Sequence, residues 1–259
     1  MLCAATLGCV GTTGSGLVTF QAYVSGPSDA IEGKPLEFDT GRGFHVSLSR
    51  AVLHVGALYL NRSVPISGAQ ETGCILPGLY VAQVIPPQGA PGLDVDLLSP
   101  KPQLFPGDGN GTADAAFAAE VWLTGGDVDA QDDPTVILDV EGNATKGAKT
   151  LHFTGAITIG KNWQPPPLDS SQPGSNPVCK QRIASPIKLD AAVTPRQGGA
   201  LFLAIDPRPW FANVEFSELT PADADPRNVV FANGPDDAPS RNLFLGLHAS
   251  RGVYSFSWH

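Results

Sequence analysis

Several stretches of this chain switch between apolar and polar side chains at every step. That period of two limits what the chain can fold into more than any other feature. From Leu17 to Val24, the residues Val18, Phe20, Ala22 and Val24 share one side, and Thr19, Gln21 and Tyr23 share the other. Phe44, Val46 and Leu48 alternate with His45, Ser47 and Ser49. Leu151, Phe153, Ile157 and Ile159 alternate with His152, Thr154, Ala156 and Thr158, and Ile187, Leu189, Ala191 and Val193 alternate with Lys188, Asp190 and Ala192. A helix would repeat about every 3.6 residues, so strict alternation marks extended strands with one face on a core and the other in water. Further apolar runs at 51–60, 79–85, 93–98, 116–123, 135–145, 201–205 and 253–258 read as strands as well. Lys146-Gly147, between two alternating runs, reads as a hairpin turn.

The segments between these runs are rich in chain breakers. The chain holds 29 glycines and 24 prolines in 259 residues, and only 16% of it is charged, against roughly 25% in ordinary soluble domains. This composition argues against a coiled coil, a helix bundle and a highly charged disordered chain. Two short helices are expected: one turn over 207–212, with Asp206 as its cap and Pro207 in the first position, and a second started by Ser240 with Leu243 and Leu247 on one face. The predicted fold class is therefore all-β, an antiparallel β-sandwich of about ten or more strands with one or two short helices. The Pro-rich stretch 164–177 either divides two domains or forms a long surface loop. A single domain over 17–259 is favoured, because sandwiches commonly reach this length.

A formal charge of −9 argues against a nucleic-acid partner. No run of about 20 apolar residues follows the first few positions, so no membrane-spanning helix is expected. Residues 1–16 read instead as a truncated lipoprotein signal and a Gly/Ser tether. A short apolar run ends in Leu7-Gly8-Cys9, which would make Cys9 the lipid-carrying residue, although no basic segment precedes the run. The alternative is a frayed apolar terminus. Outside the cytoplasm, Cys74 and Cys179 are expected to pair, closing a loop of roughly a hundred residues for about 4 kcal/mol. Two separately buried thiols are the alternative. The absence of any C-x-x-C argues against a cysteine zinc site or a thioredoxin-type site.

Candidate sites are few. Asp108, Asn110 and Asp114 lie in a D-G-N-G-T-A-D string whose spaced oxygens resemble the start of a calcium loop. Ala113 and Ala119 stand where the turn glycine and the bidentate acid of that loop belong, so a plain turn between strands competes with the metal reading. Asp127, Asp129 and Asp132 form a second acidic cluster, which could hold a cation with Asp94 and Asp96 or remain a solvated loop. None of the five histidines has metal-ligand spacing with another, although His45 and His152 fall on outward faces and could converge across a sheet. Trp163 and Trp210 are the better-placed tryptophans for contact with a flat ligand such as a sugar ring, against packing beneath a loop. No G-x-S-x-G elbow and no phosphate-binding glycine loop is present, so no catalytic residue is assigned and no cofactor is expected beyond a possible calcium ion.

Several segments carry a likeness together: Gly43-Phe44-His45-Val46-Ser47-Leu48, Val55-Gly56-Ala57-Leu58-Tyr59-Leu60, Asp94-Val95-Asp96-Leu97-Leu98-Ser99-Pro100 and Glu120-Val121-Trp122-Leu123. Asp206-Pro207, Trp210-Phe211, Val214-Glu215-Phe216 and the closing 252–258 complete it. The set resembles uncharacterised predicted secreted lipoproteins of high-GC Gram-negative bacteria. The resemblance implies export, a lipid anchor and a β-rich body, and no particular activity or substrate. The expectation is an outer-membrane-anchored protein, periplasmic or surface-facing, with a non-enzymatic binding or structural role and a protein or glycan ligand. An extracytoplasmic handler of calcium or a transition metal is the alternative, and a hydrolase the weakest one.

Overall fold

The computed structural model describes residues 16–63, 79–124, 135–159, 182–234, 236–249 and 251–259. Sixteen strands are described. The first eight are β1 (Leu17–Ser25), β2 (Leu36–Asp39), β3 (His45–Val55), β4 (Ala57–Asn61), β5 (Tyr80–Val84), β6 (Leu93–Asp96), β7 (Gln103–Leu104) and β8 (Gly109–Thr112). The others are β9 (Ala116–Trp122), β10 (Val136–Lys146), β11 (Lys149–Thr158), β12 (Ile183–Val193), β13 (Ala200–Ile205), β14 (Thr220–Pro221), β15 (Asn228–Phe231) and β16 (Tyr254–Trp258). The one described α-helix is α1 (Ala238–Leu247), and two short 3-10 turns cover Arg208–Phe211 and Phe216–Glu218.

The all-β expectation holds: 51% of the described residues are strand. The architecture is not a plain antiparallel sandwich. One sheet has nine strands in the order β12-β9-β4-β5-β8-β1-β13-β16, with β7 also on β1, and its end strands β12 and β16 come together into a nearly closed barrel. The other sheet has seven strands in the order β14-β15-β11-β10-β3-β2, with β6 also on β3. Both sheets are mixed, because β1 runs parallel to β13 and β11 parallel to β15. Alternation is the same whichever way a neighbour runs, and each parallel pair joins strands far apart in sequence, so the local pattern carries no trace of the pairing.

One buried cluster joins the two sheets. It takes Phe20, Ala22 and Val24 from β1, Val121 from β9 and Leu203 from β13, together with Val46, Leu48 and Leu53 from β3 and Phe153 from β11. The chain passes from the seven-stranded sheet into the barrel at Gly56, between β3 and β4, where the Gly56 amide donates to the Trp122 carbonyl at 2.7 Å. The predicted hairpin forms as read: Lys146 pairs Lys149, and Gly147 takes a φ of 62° that a side chain would resist.

The helical segments fall where expected, but their caps differ. Pro207, with no side-chain bond, caps the first turn, while Asp206 accepts the Arg208 amide at 3.0 Å and pairs with the Arg208 guanidinium at 2.7 Å. In α1 the cap is Asp237, whose carboxylate accepts the Ser240 amide at 2.9 Å and the Ser240 hydroxyl. Leu243 and Leu247 share the buried face as predicted. Strands β2, β7, β8, β14 and β15 escaped the sequence reading, being only two to four residues long.

On the inner side of the seven-stranded sheet, the rings of Phe211, Phe216 and Phe231 gather around Phe153 with centroids 5.0–5.8 Å away. Phe153 is fully buried. Its replacement by Ala is expected to cost about 3–5 kcal/mol, read as a lower urea midpoint with an unchanged slope.

Candidate functional site

The open side of the seven-stranded sheet is built by an irregularity in β3. Up to Leu48 the even-numbered residues of this strand are buried, and from Ala51 onward the odd-numbered ones are. The phase changes because the pairing with β10 slips: Glu141 faces Arg50 while Gly142 faces Leu48, which leaves Ser49 as an extra residue. This β-bulge turns Ser49 and Arg50 to the outer side together. Gly142 opposite it is a close approach, since a Cβ there would stand 2.5 Å from the Ser47 carbonyl oxygen and 2.8 Å from the Phe153 ring.

A groove of about 660 Å³ opens over the bulge. Its polar lining comes from Lys34, Ser49, Arg50, Asp96 and Glu141, and its apolar lining from Pro35, Val52 and Leu98. Arg50 is held by Asp139 at 2.6 Å, and the Ser49 hydroxyl donates to the Glu141 carbonyl at 3.1 Å. Asp96 accepts the Leu98 amide at 3.0 Å. The Lys34 ammonium makes no ion pair with the described residues. The groove thus presents cationic and anionic groups beside exposed apolar carbon, a lining able to take a polar ligand that also carries C–H surface.

Further along the same face of β3 lies a second recess of about 670 Å³, at His54 and Asp94. These two residues are direct cross-strand partners on β3 and β6, and His54 Nδ1 meets Asp94 Oδ1 at 2.7 Å. His54 is 7% exposed. Nothing in the sequence marks this residue, because its carboxylate partner lies forty positions away on a strand whose register only the folded sheet supplies.

The histidines singled out from the sequence do not converge. His45 lies opposite Thr145 and His152 opposite Asn143, so β10 stands between them and each keeps its own carboxylates. His45 Nδ1 is 2.9 Å from Asp39 and its Nε2 is 3.2 Å from Glu37, whose carboxylate also accepts the Ser47 hydroxyl at 2.7 Å. The hydrogen bond to Asp39, then the charges of Asp39 and Glu37, raise the His45 pKa above its usual value. His152 Nε2 is 3.6 Å from Glu141.

The calcium-like string is divided by a strand. Asp108 is exposed just before β8, and Asn110 lies within β8, paired on both sides, with Gln83 donating to its side-chain oxygen at 3.4 Å. Asp114 follows the strand and pairs with Arg62 at 2.8 Å, also accepting the Thr112 hydroxyl at 2.9 Å. Extended backbone spaces residues two apart by roughly 7 Å along one face, so these oxygens are strung out in a row and do not encircle a point. Among the described residues, no group of three His, Cys, Asp or Glu is placed to hold a metal ion. Asp127, Asp129, Asp132, Trp163, Cys9, Cys74 and Cys179 lie outside the described residues. Trp210 is 1% exposed and packs beneath α1, where a Cβ on Gly246 would come within 2.6 Å of the Trp210 Cα, so it offers no face to a ligand.

A second feature unread in the sequence is a buried acid on the barrel wall. Glu120 of β9 is fully buried; Asn61 Nδ2 donates to it at 3.2 Å and Trp122 Nε1 at 3.1 Å. Tyr59 lies between this tryptophan and Tyr80 in tilted contact, with ring centroids 5.0 Å and 4.9 Å away. Loss of hydration raises the Glu120 pKa, and the hydrogen bonds from Trp122, Asn61 and Tyr80 offset that only in part.

No protein-family model matches this chain, and no curated protein or solved structure matches it.

The Glu120 environment has a measurable consequence. A carboxyl whose folded pKa lies above its unfolded value binds its proton more tightly when folded, so stability falls as pH rises from the unfolded pKa through the folded one. Urea midpoints measured from acid to neutral pH are expected to show this loss in the wild type and not in Glu120→Gln. Parallel curves for the two proteins would contradict it.

Proposed function

We propose that this protein is a non-enzymatic binding protein of the bacterial envelope. In this reading Cys9 tethers it to the membrane through a lipid, and the groove over the β3 bulge engages a glycan. The observation that carries the reading is the groove itself. Ser49 and Arg50 are brought to one side by a bulge, Lys34 has its charge uncommitted among the described residues, and Asp96 and Glu141 stand beside the apolar Val52 and Leu98. A sugar offers hydroxyl donors and acceptors around its edge and C–H groups on its faces, which suits this mixture. The polar outer rows support the same reading. Glu37, Ser47, Asn143, His152 and Asn228 lie side by side across five strands and extend the hydrogen-bonding surface beyond the groove.

The membrane anchor and the disulfide belong to this proposal through the sequence. Cys9→Ala is expected to abolish incorporation of a radiolabelled fatty acid, and labelling that persists would end the anchor claim. A thiol count on denatured, unreduced protein should leave Cys74 and Cys179 unalkylated; alkylation of both would remove the bridge.

The binding reading is tested on a glycan array followed by titration of the best ligand. Lys34 and Ser49 are exposed, so Lys34→Ala combined with Ser49→Ala should leave the fold intact. The pair is expected to weaken binding roughly tenfold or more, in line with the loss of hydrogen bonds to a charged and a neutral group. Affinity unchanged in this variant would place the ligand elsewhere, and an array with no bound glycan would overturn the reading.

A further inference from the structure

Beyond the groove, further along β3, lies the recess that holds His54, and the chemistry there is more specific. After the bulge, Arg50, Val52 and His54 point to the same side of the strand, spaced by two residues or roughly 7 Å. Asp96 and Asp94 accompany them on β6 as the register partners of Val52 and His54. The groove and the recess are therefore consecutive stations on one face.

His54 is nearly excluded from water, whereas Asp94 beside it is largely exposed, with side-chain exposures of 8% and 72%. When the ring is neutral, the contact between Nδ1 and Asp94 Oδ1 puts the ring proton on Nδ1, as a donor to the carboxylate. The lone pair then sits on Nε2, the one ring nitrogen left for a ligand. With Asp94 on its edge and the Thr135 hydroxyl also on its lining, the recess offers hydrogen-bond acceptors at His54 Nε2 and the second Asp94 oxygen, beside the small apolar residues Ala90, Pro91 and Val136. Gly92 keeps the covering segment close: a Cβ there would stand 2.2 Å from the Val55 carbonyl oxygen. A pair of acceptors in a partly apolar recess fits a donor with two hydroxyls on adjacent carbons.

We infer that the His54–Asp94 recess is a binding subsite for a vicinal diol, the terminal unit of the polyhydroxylated ligand whose remainder lies in the groove. His54 Nε2 accepts one hydroxyl proton and Asp94 the other, and Asp94 also holds the imidazole in the tautomer that makes Nε2 an acceptor. The inference rests on the binding function proposed above and adds the subsite and the group it recognises.

The test uses the full chain, labelled with nitrogen-15 and titrated with D-glucose in mildly alkaline buffer. The expected result is a saturable shift of the His54 imidazole Nε2 resonance together with the Val136 amide. Asp94→Ala lies at an exposed position, so it should fold, and it is expected to weaken this response roughly tenfold. His54→Phe should abolish the response at Val136 while the Ser49 and Arg50 amides still move. Movement of Ser49 and Arg50 without any at His54 would overturn the subsite and leave the groove reading standing. No movement at either place would overturn both. A response of His54 to ethylamine and not to glucose would overturn the assignment to a diol, showing the recess to be an amine site.

Discussion

The burial of a single stripe of β3 against the core shared by both sheets is the constraint from which most of this molecule follows. β3 lies between β10 and β2, also carries β6, and leads directly into the barrel through Gly56. Its apolar residues must stay inside on both sides of the bulge. With Val46 and Leu48 in one phase and Ala51, Leu53 and Val55 in the other, only an extra residue lets a continuous strand satisfy both. The same extra residue turns Ser49 and Arg50 outward. The groove is thus a direct consequence of packing: Ser49, Arg50, Val52, Asp96 and Glu141 line it from the outer face of the sheet, and Lys34, Pro35 and Leu98 join them from flanking loops.

The electrostatics of that wet side are local. The histidines of the seven-stranded sheet each sit beside a carboxylate: His45 by Asp39 and Glu37, His54 by Asp94, His152 by Glu141. At exposed positions such pairs add little stability, because solvent screens them and ordering the side chains costs entropy. Their effect is on orientation. Only at His54 does the pair sit in a recess with the ring buried, and there a fixed tautomer has chemical meaning. Glu120 is the opposite case, an acid enclosed in the barrel wall whose donors Asn61 and Trp122 come from the same layer. It raises the energy of the charged form and ties stability to pH without facing the groove.

The bulge also shows how closely local pattern and tertiary structure can agree. The break in phase between Leu48 and Ala51 is visible in the sequence, where it reads as two strands; the structure has one strand with an irregularity. The two descriptions differ because a strand end and a bulge both interrupt alternation, and only the pairing partner tells them apart. The D-G-N-G-T-A-D string is the reverse case. Its residues suit a turn or an ion-binding loop, yet β5 and β1 draw Gly109–Thr112 into the sheet between them. Two neighbours satisfying the backbone outweigh the weak turn preference of four residues.

What the chain determines by itself is the existence and facing of its longer strands, the Lys146-Gly147 hairpin, the buried face of α1 and the scarcity of helix. All of these come from side-chain periodicity and backbone preference within a few residues, where neighbours in sequence are neighbours in space. The tertiary structure alone decided that β1 lies parallel to β13 and β11 to β15, that the larger sheet curls until β12 and β16 approach, that Trp210 is core, and that His54 meets Asp94. Each of these joins segments separated by tens to nearly two hundred residues. Alternation says which side of a strand is greasy and carries no information on which other strand will cover its edge.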